Sequence, residues 1–237
     1  MNSYIKSILL VEGTTDEQFI HSLINFISAS SKVEVQLIHI DKIFGSSNND
    51  LENKLKSLIT DLRNKPILNL GIILDKDDYS EVHRSHMINV AISNAGISIS
   101  NPLSETNTVS DYPINSKRNI AISYFLIKDG SNSGNIETLL SEIISATPYS
   151  ANCLNEWKSC SESRGVNVKQ SDYLKEWLKI YIRYDYCIQN KLHSHAGEYC
   201  TLEKSFQKMN DSSLINKPWD YNHKTLTDLK TYLTKFL

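Results

Sequence analysis

Ile8-Leu9-Leu10-Val11-Glu12-Gly13-Thr14-Thr15-Asp16 and Ile72-Ile73-Leu74-Asp75-Lys76-Asp77-Asp78 are the two stretches on which the fold turns. Each is a short apolar run that ends in acids, with a helical pattern behind it. Such a run reads as a strand buried on both faces, the kind a parallel sheet uses. In an open α/β sheet, chemistry collects beyond the carboxyl ends of the strands, where neighbouring strands lead off to opposite faces. If the two strands are neighbours, Glu12, Asp16, Asp75 and Asp77 converge on one small volume. Like charges held that close favour a cation between them, and hard oxygen ligands suit Mg²⁺ or Mn²⁺.

Working outward, strands and helices alternate. The first strand is expected over 5–11, with Thr14 or Thr15 capping a helix to about Ser28 that carries Phe19, Ile20, Leu23, Ile24 and Ile27 at helical spacing. A second strand follows over 33–40. A helix capped by Asp50 holds Leu51, Leu55, Leu58, Ile59 and Leu62, and Pro66 precedes the strand 70–74. Further on come a helix 79–94, a short strand 97–100, a polar stretch 101–116, a strand 120–127 and a loop 129–135. That loop opens a helix at Ile136-Glu137-Thr138-Leu139-Leu140. Beyond Pro148 the pattern is helical, with segments near 152–163, 173–192 and 225–237. The expected fold is therefore α/β, a parallel-rich Rossmann-like sheet with helices on both faces, followed by a helical C-terminal region. The expected division is 1–147 and 148–237.

Composition agrees with a globular enzyme-sized chain. Its 237 residues are 40% hydrophobic and 22% charged, which is ordinary for a globular protein. No apolar run approaches the roughly 18–20 residues of a membrane span, and Ile8–Val11 is too short for a leader core. A cytoplasmic location is the expectation. Cys153, Cys160, Cys187 and Cys200 form no Cys-x-x-Cys pair, which points away from zinc and toward reduced thiols. A net charge of −2 does not advertise a nucleic-acid binder, although a cluster of acids lowers the charge by itself.

Val11-Glu12-Gly13 with Asp16, followed one strand-helix unit later by Asp75-Lys76-Asp77, resembles the toprim domain. That domain is shared by topoisomerases, bacterial primases, overcoming-lysogenization-defect nucleases and ribosomal-RNA maturation nucleases. The resemblance covers about the first 140 residues and rests on some ten of them. It implies phosphoryl transfer in which Glu12 serves as general acid or base, or as a metal ligand. Glu12, Asp16, Asp75 and Asp77 would be the catalytic acids. Asp78 and Glu137 join them as candidate ligands; Gly-Asn-Ile-Glu before Leu139 is similar to a short Asn-Leu-Glu signature in small toprim-like proteins. Gly13, which lets the backbone approach a phosphate, and Lys76 are the candidate substrate contacts. No Walker loop is present, and the chain is too short for a topoisomerase or a primase. A Mg²⁺- or Mn²⁺-dependent nuclease for DNA or RNA is the activity implied, by analogy in anti-phage defence, with an ATPase partner or a second copy of the chain.

Other readings stand beside these. Asp77-Asp78 can be a helix-capping pair, and Glu137 suits a first helical turn without any ligand. Ser131–Asn135 can present backbone amides to a phosphate, and His193-Ser194-His195 can be an ordinary polar loop. Tyr173, Trp177, Tyr181, Tyr184 and Tyr186, interleaved with Lys175, Lys179 and Arg183, can stack bases or simply pack. Two further functions are a catalytically weak regulatory subunit of an ATPase complex and a phosphatase-like enzyme with Asp75 as nucleophile. Asp78-Tyr79 stands where such phosphatases carry Gly-Thr.

Overall fold

Alternate residues of the apolar strands point to opposite faces of the sheet, and each face is covered by different helices. The computed structural model describes residues 6–31, 38–45, 47–99, 101–128, 134–190, 200–209, 211 and 216–237. They form two compact units, 1–134 with 227–237, and 135–226. This differs from the expected division at 147. The helix that follows the loop belongs to the second unit, and the terminal helix returns to the first.

The first unit is an α/β sheet of five strands in the order β2-β1-β3-β5-β4. These are β1 (Ser7–Val11), β2 (Ile38–Lys42), β3 (Asn69–Asp75), β4 (Val109–Asn115) and β5 (Arg118–Ile127). β1 pairs in parallel with both β2 and β3, and β3 in parallel with β5. Only β4 runs antiparallel, at the edge beside β5. The helices are α1 (Thr14–Ser31), α2 (Asn48–Asn64), α3 (Glu81–Asn94) and, from the end of the chain, Thr227–Thr234. Ile8, Leu10, Leu70, Ile72, Leu74, Ile122, Tyr124 and Leu126 share one core with Leu51, Leu55, Leu58 and Leu62 of α2 and Ile88, Ala91 and Ile92 of α3. On the opposite face the terminal helix lies over Gly71. A Cβ there would stand 2.4 Å from Leu9 and 2.6 Å from Phe236, so only glycine lets Tyr232 and Phe236 come so near the strand. That helix also packs against α1.

Two local expectations give way. Residues 97–99 form no strand, whereas the polar stretch contains β4. Tyr112 and Ile114 of β4 point inward while Val109, Asp111, Pro113 and Asn115 are exposed. Pro113 lacks an N–H for a ladder, which an edge strand tolerates. Residues 33–37 of the expected second strand lie outside the described residues. α2 starts at a capping box in which Ser47 and Asp50 each hold the other's backbone N–H, so Ser47 is the cap rather than Asp50.

The second unit is helical. It contains α4 (Ile136–Glu142), α5 (Tyr149–Ser163), α6 (Gln170–Ile180) running into a π-helical stretch (Tyr181–Ile188), and α7 (Leu202–Lys208). The terminal helix of the first unit is therefore α8. Tyr181 stacks on Trp177 and meets Trp219, which in turn stacks on Phe206. Tyr173, Trp177, Tyr181 and Tyr186 are buried, so these four rings are packing and closed to a nucleobase, whereas Tyr184 is exposed with Arg183 over its ring at 5.4 Å. Cys187 and Cys200 form a disulfide, which corrects the expectation of four reduced thiols. Cys153 and Cys160 are free and exposed. Two sulfurs 13 positions apart match no sequence motif; the fold of the helical unit brings them together. No helix among the described residues is long and apolar enough to cross a membrane.

Candidate active site

β1 stands between β2 and β3, so the chain leaves β1 through α1 toward one edge and returns through α2 to the other. α1 and α3, the helices that follow β1 and β3, cover opposite faces. Their strand ends therefore flank an open crevice, the place where this class of sheet binds its ligands. Both acidic stretches open onto it.

Glu12 is the first residue beyond β1. Its Oε1 accepts a hydrogen bond from the backbone N–H of Asp75, the last residue of β3, at 2.8 Å. One carboxylate thus ties the two strand ends together. Asp16 lies buried in the first turn of α1, where its Oδ2 accepts from the Gly13 N–H at 3.1 Å. Gly13 fits closely here: a Cβ would stand 3.3 Å from that oxygen, which would have to give by a few tenths of an ångström.

Past Asp75 the chain makes a tight turn. The Lys76 N–H donates to the Ile127 carbonyl at 3.0 Å and the Asp77 N–H to the Gly134 carbonyl at 2.8 Å. Asp77 adopts a left-handed backbone (φ 51°), which aspartate tolerates better than most residues. Its Oδ2 accepts from Nη2 of Arg84 at 2.6 Å. Arg84, on α3, is wholly buried and also lies over the Tyr79 ring at 4.5 Å. Lys76 is buried within the turn, and Asp78 is exposed on it. The cap of α3 is Ser80, which accepts from the His83 N–H at 3.1 Å, so Asp77-Asp78 is not the capping pair.

The electrostatics single out Glu12. Burial pushes its carboxyl up from the usual carboxylate range to about 7. The Asp75 N–H and Arg84 work against that shift, while the negative charges of Asp16 and Asp77 add to it. A carboxyl poised near neutrality can hold and release a proton at ordinary pH.

Glu12, Asp16, Asp75 and Asp77 therefore meet at one end of the sheet. Glu137 sits in the second unit, buried in the first turn of α4, with Lys175 Nζ at 3.9 Å from its Oε1. Lys128 pairs with Glu81 at 3.0 Å. His193, Ser194, His195 and residues 131–133 of the loop lie outside the described residues. Among the described residues, no three His, Cys, Asp or Glu side chains form a ready cage for a metal ion. Glu12 is engaged by an amide and Asp77 by an arginine. The donors are nonetheless hard carboxylate oxygens, which fit a Mg²⁺ held through one or two protein groups with the remaining positions left to water and phosphate.

Arg84 is the residue that sequence reasoning passed over. The signal was present: Arg84 falls in register with Ile88, Ala91 and Ile92 on the buried stripe of α3. A charge at a core position of an amphipathic helix requires a buried partner.

Over residues 6–237 the chain matches the family described as "Protein of unknown function (DUF3226)". No curated protein and no solved structure matches it.

Proposed function

The chain belongs to the DUF3226 family, and we propose that it is a toprim-like, Mg²⁺- or Mn²⁺-dependent phosphodiester hydrolase acting on nucleic acid. The observation that carries this reading is Glu12, a carboxyl raised to about 7 at the switch point of a parallel sheet, beside the acidic end of β3.

Glu12 manages the proton. Its Oε1 is committed to accepting from the Asp75 N–H, so the acidic proton sits on Oε2. From there it passes to the leaving oxygen, or Oε2 takes one from the attacking water. Asp75 and Asp77 would hold the cation, which when bound polarises the scissile phosphate. Asp16 keeps the Gly13 turn in shape and, through its charge, keeps Glu12 protonated longer. Lys76 lies in the same turn as the two acids, and Gly13 leaves room for a phosphate oxygen at the backbone.

The test is cleavage of plasmid, single-stranded DNA and total RNA in Mg²⁺ and in Mn²⁺, with Glu12→Gln and Asp75→Asn alongside. Cation-dependent cutting that both substitutions abolish is the expected result. Wild-type protein that binds Mn²⁺ and cuts nothing would overturn the hydrolase. A second reading, a catalytically weak toprim-fold subunit of an ATPase complex, draws support from the Arg84–Asp77 pair, which puts a protein cation on one of the acids. That reading requires the Mn²⁺-binding, non-cutting outcome.

A further inference from the structure

Next to the acidic turn stands a pair of stacked rings that the reaction itself does not use. Tyr79 and His83 lie with their centroids 5.1 Å apart and their planes within 8° of parallel. Both are exposed, Tyr79 by 46%, and Val82 beside them is exposed by 77%. The pair is fixed rather than loose. The Tyr79 N–H donates to the Lys76 carbonyl at 3.3 Å, and Arg84 lies over the tyrosine ring while gripping Asp77. The acid turn, the buried guanidinium and the stacked rings thus form one connected assembly.

We propose that Tyr79 and His83 form a stacking platform for an unpaired base, and that the substrate of the neighbouring acidic site is a single-stranded nucleic acid. This rests on the hydrolase reading for its chemistry, although base binding can be measured without it. Two observations favour a single strand. With His83 stacked on Tyr79 and Arg84 over the tyrosine ring, the π-face left open is the outer face of His83, which an unpaired base can cover but a base inside a duplex, already stacked on both sides, cannot. Among the described residues around the turn, the cations are largely committed: Arg84 to Asp77 and Lys128 to Glu81, with Lys76 buried, and the whole chain carries a net charge of −2. Affinity gained by stacking needs no such surplus and depends only weakly on salt, whereas phosphate neutralisation depends on it steeply.

The experiment is fluorescence anisotropy of a short labelled oligonucleotide, single-stranded DNA or RNA and the matching DNA duplex, in EDTA so that nothing is cut. The wild type is expected to prefer the single strands, with shallow salt dependence. Tyr79→Ala, which removes the ring that holds His83 in place, should weaken that binding by about 10-fold, the size of one lost base stack. Tyr79→Phe, which keeps the ring, should bind as the wild type does, and this control separates stacking from folding. Equal binding by wild type and Tyr79→Ala would overturn the platform and leave the hydrolase standing if plasmid or RNA is still cut. Tyr79-dependent binding without any cutting would uphold the platform and overturn the hydrolase. A preference for the duplex, or no binding at all, would overturn the proposal.

Discussion

A half-buried carboxylate in the first unit and a wholly buried one in the second show what separates a reactive acid from a structural one. Asp185, wholly buried in the π-helical stretch of the second unit, accepts from the N–H of Ser150 at 2.7 Å and of Ala151 at 2.8 Å. Those amides open α5, so the aspartate's charge meets the positive end of a helix and each oxygen has a donor. Glu12, at the sheet end of the first unit, has one amide on one oxygen, and Asp16 and Asp77 as charged neighbours. Arg84 lies within reach but is bound to Asp77. Asp185 is the more deeply buried of the two, so depth alone does not set them apart; what differs is how many donors meet the charge. Glu12, the under-supplied carboxyl, holds its proton near neutral pH.

The comparison is most exposed at Glu12. Replacing it with Gln keeps an acceptor for the Asp75 N–H but removes the exchangeable proton. Cation-dependent cleavage should fall by about 10²- to 10⁴-fold, the usual worth of a general acid or base. The fold should persist, since a source of like-charge repulsion has gone. Initial rates together with a thermal melt check both parts, and a variant that cuts as fast as the wild type breaks the assignment.

The same carboxyl makes stability depend on pH. Its folded pKa, about 7, lies above the 4.5 of an ordinary glutamate. Between those values the folded protein holds a proton that the unfolded chain has released, so stability is fully present below pH 4.5 and falls as pH rises through 7. The full swing is about 3 kcal/mol. Denaturant melts in EDTA across that window should show the fall in the wild type and lose that part of it in Glu12→Gln. A fall of the same size in both would place the titration elsewhere.

How much of this was legible beforehand depended on whether the deciding contact was local. β1, β3 and β5 announce themselves as apolar runs, and the acids at the ends of β1 and β3 mark the candidate site. Arg84 was missed because an arginine in a helix reads as solvated until its register with Ile88 and Ile92 is weighed against its charge. β4 was hidden by Pro113 and by polar residues on its outer face. The return of α8 to the first unit depends on Gly71, whose missing side chain makes room for Tyr232 and Phe236 more than 150 positions away; no window along the chain records that. The Cys187–Cys200 bond is of the same kind, a pairing set by the packing of the helical unit.

The structural side of the comparison is tested at Asp185. Asp185→Ala leaves two amides at the start of α5 without their acceptor, the buried one of Ala151 and the part-buried one of Ser150. We expect a loss of about 2–3 kcal/mol in unfolding free energy, and about half as much for Asp185→Asn, which retains one acceptor oxygen. Urea titration reads both. Cleavage per folded molecule should be unchanged, because the chemistry is assigned to the other unit. A stable Asp185→Ala protein would mean that two good donors do not make a buried acid structural, and the contrast with Glu12 would lose its basis.

The smallest effect is the sharpest probe of geometry. Gly13 lies outside the left-handed region, so an alanine there meets no backbone penalty; its only conflict is the Cβ, 3.3 Å from Asp16 Oδ2. The carboxylate must shift by a few tenths of an ångström, at a cost below about 1 kcal/mol in stability. That shift stretches the Gly13–Asp16 hydrogen bond, the contact that now absorbs part of the aspartate's charge. Less of that charge is then quenched at its source and more of it is felt at Glu12, so the proton on Glu12 is held more tightly. The arm of the pH–rate profile that reports Glu12 should therefore move up by a fraction of a unit while the melting temperature hardly changes. A downward move would mean that Asp16 had swung away from Glu12, leaving burial alone to hold the proton.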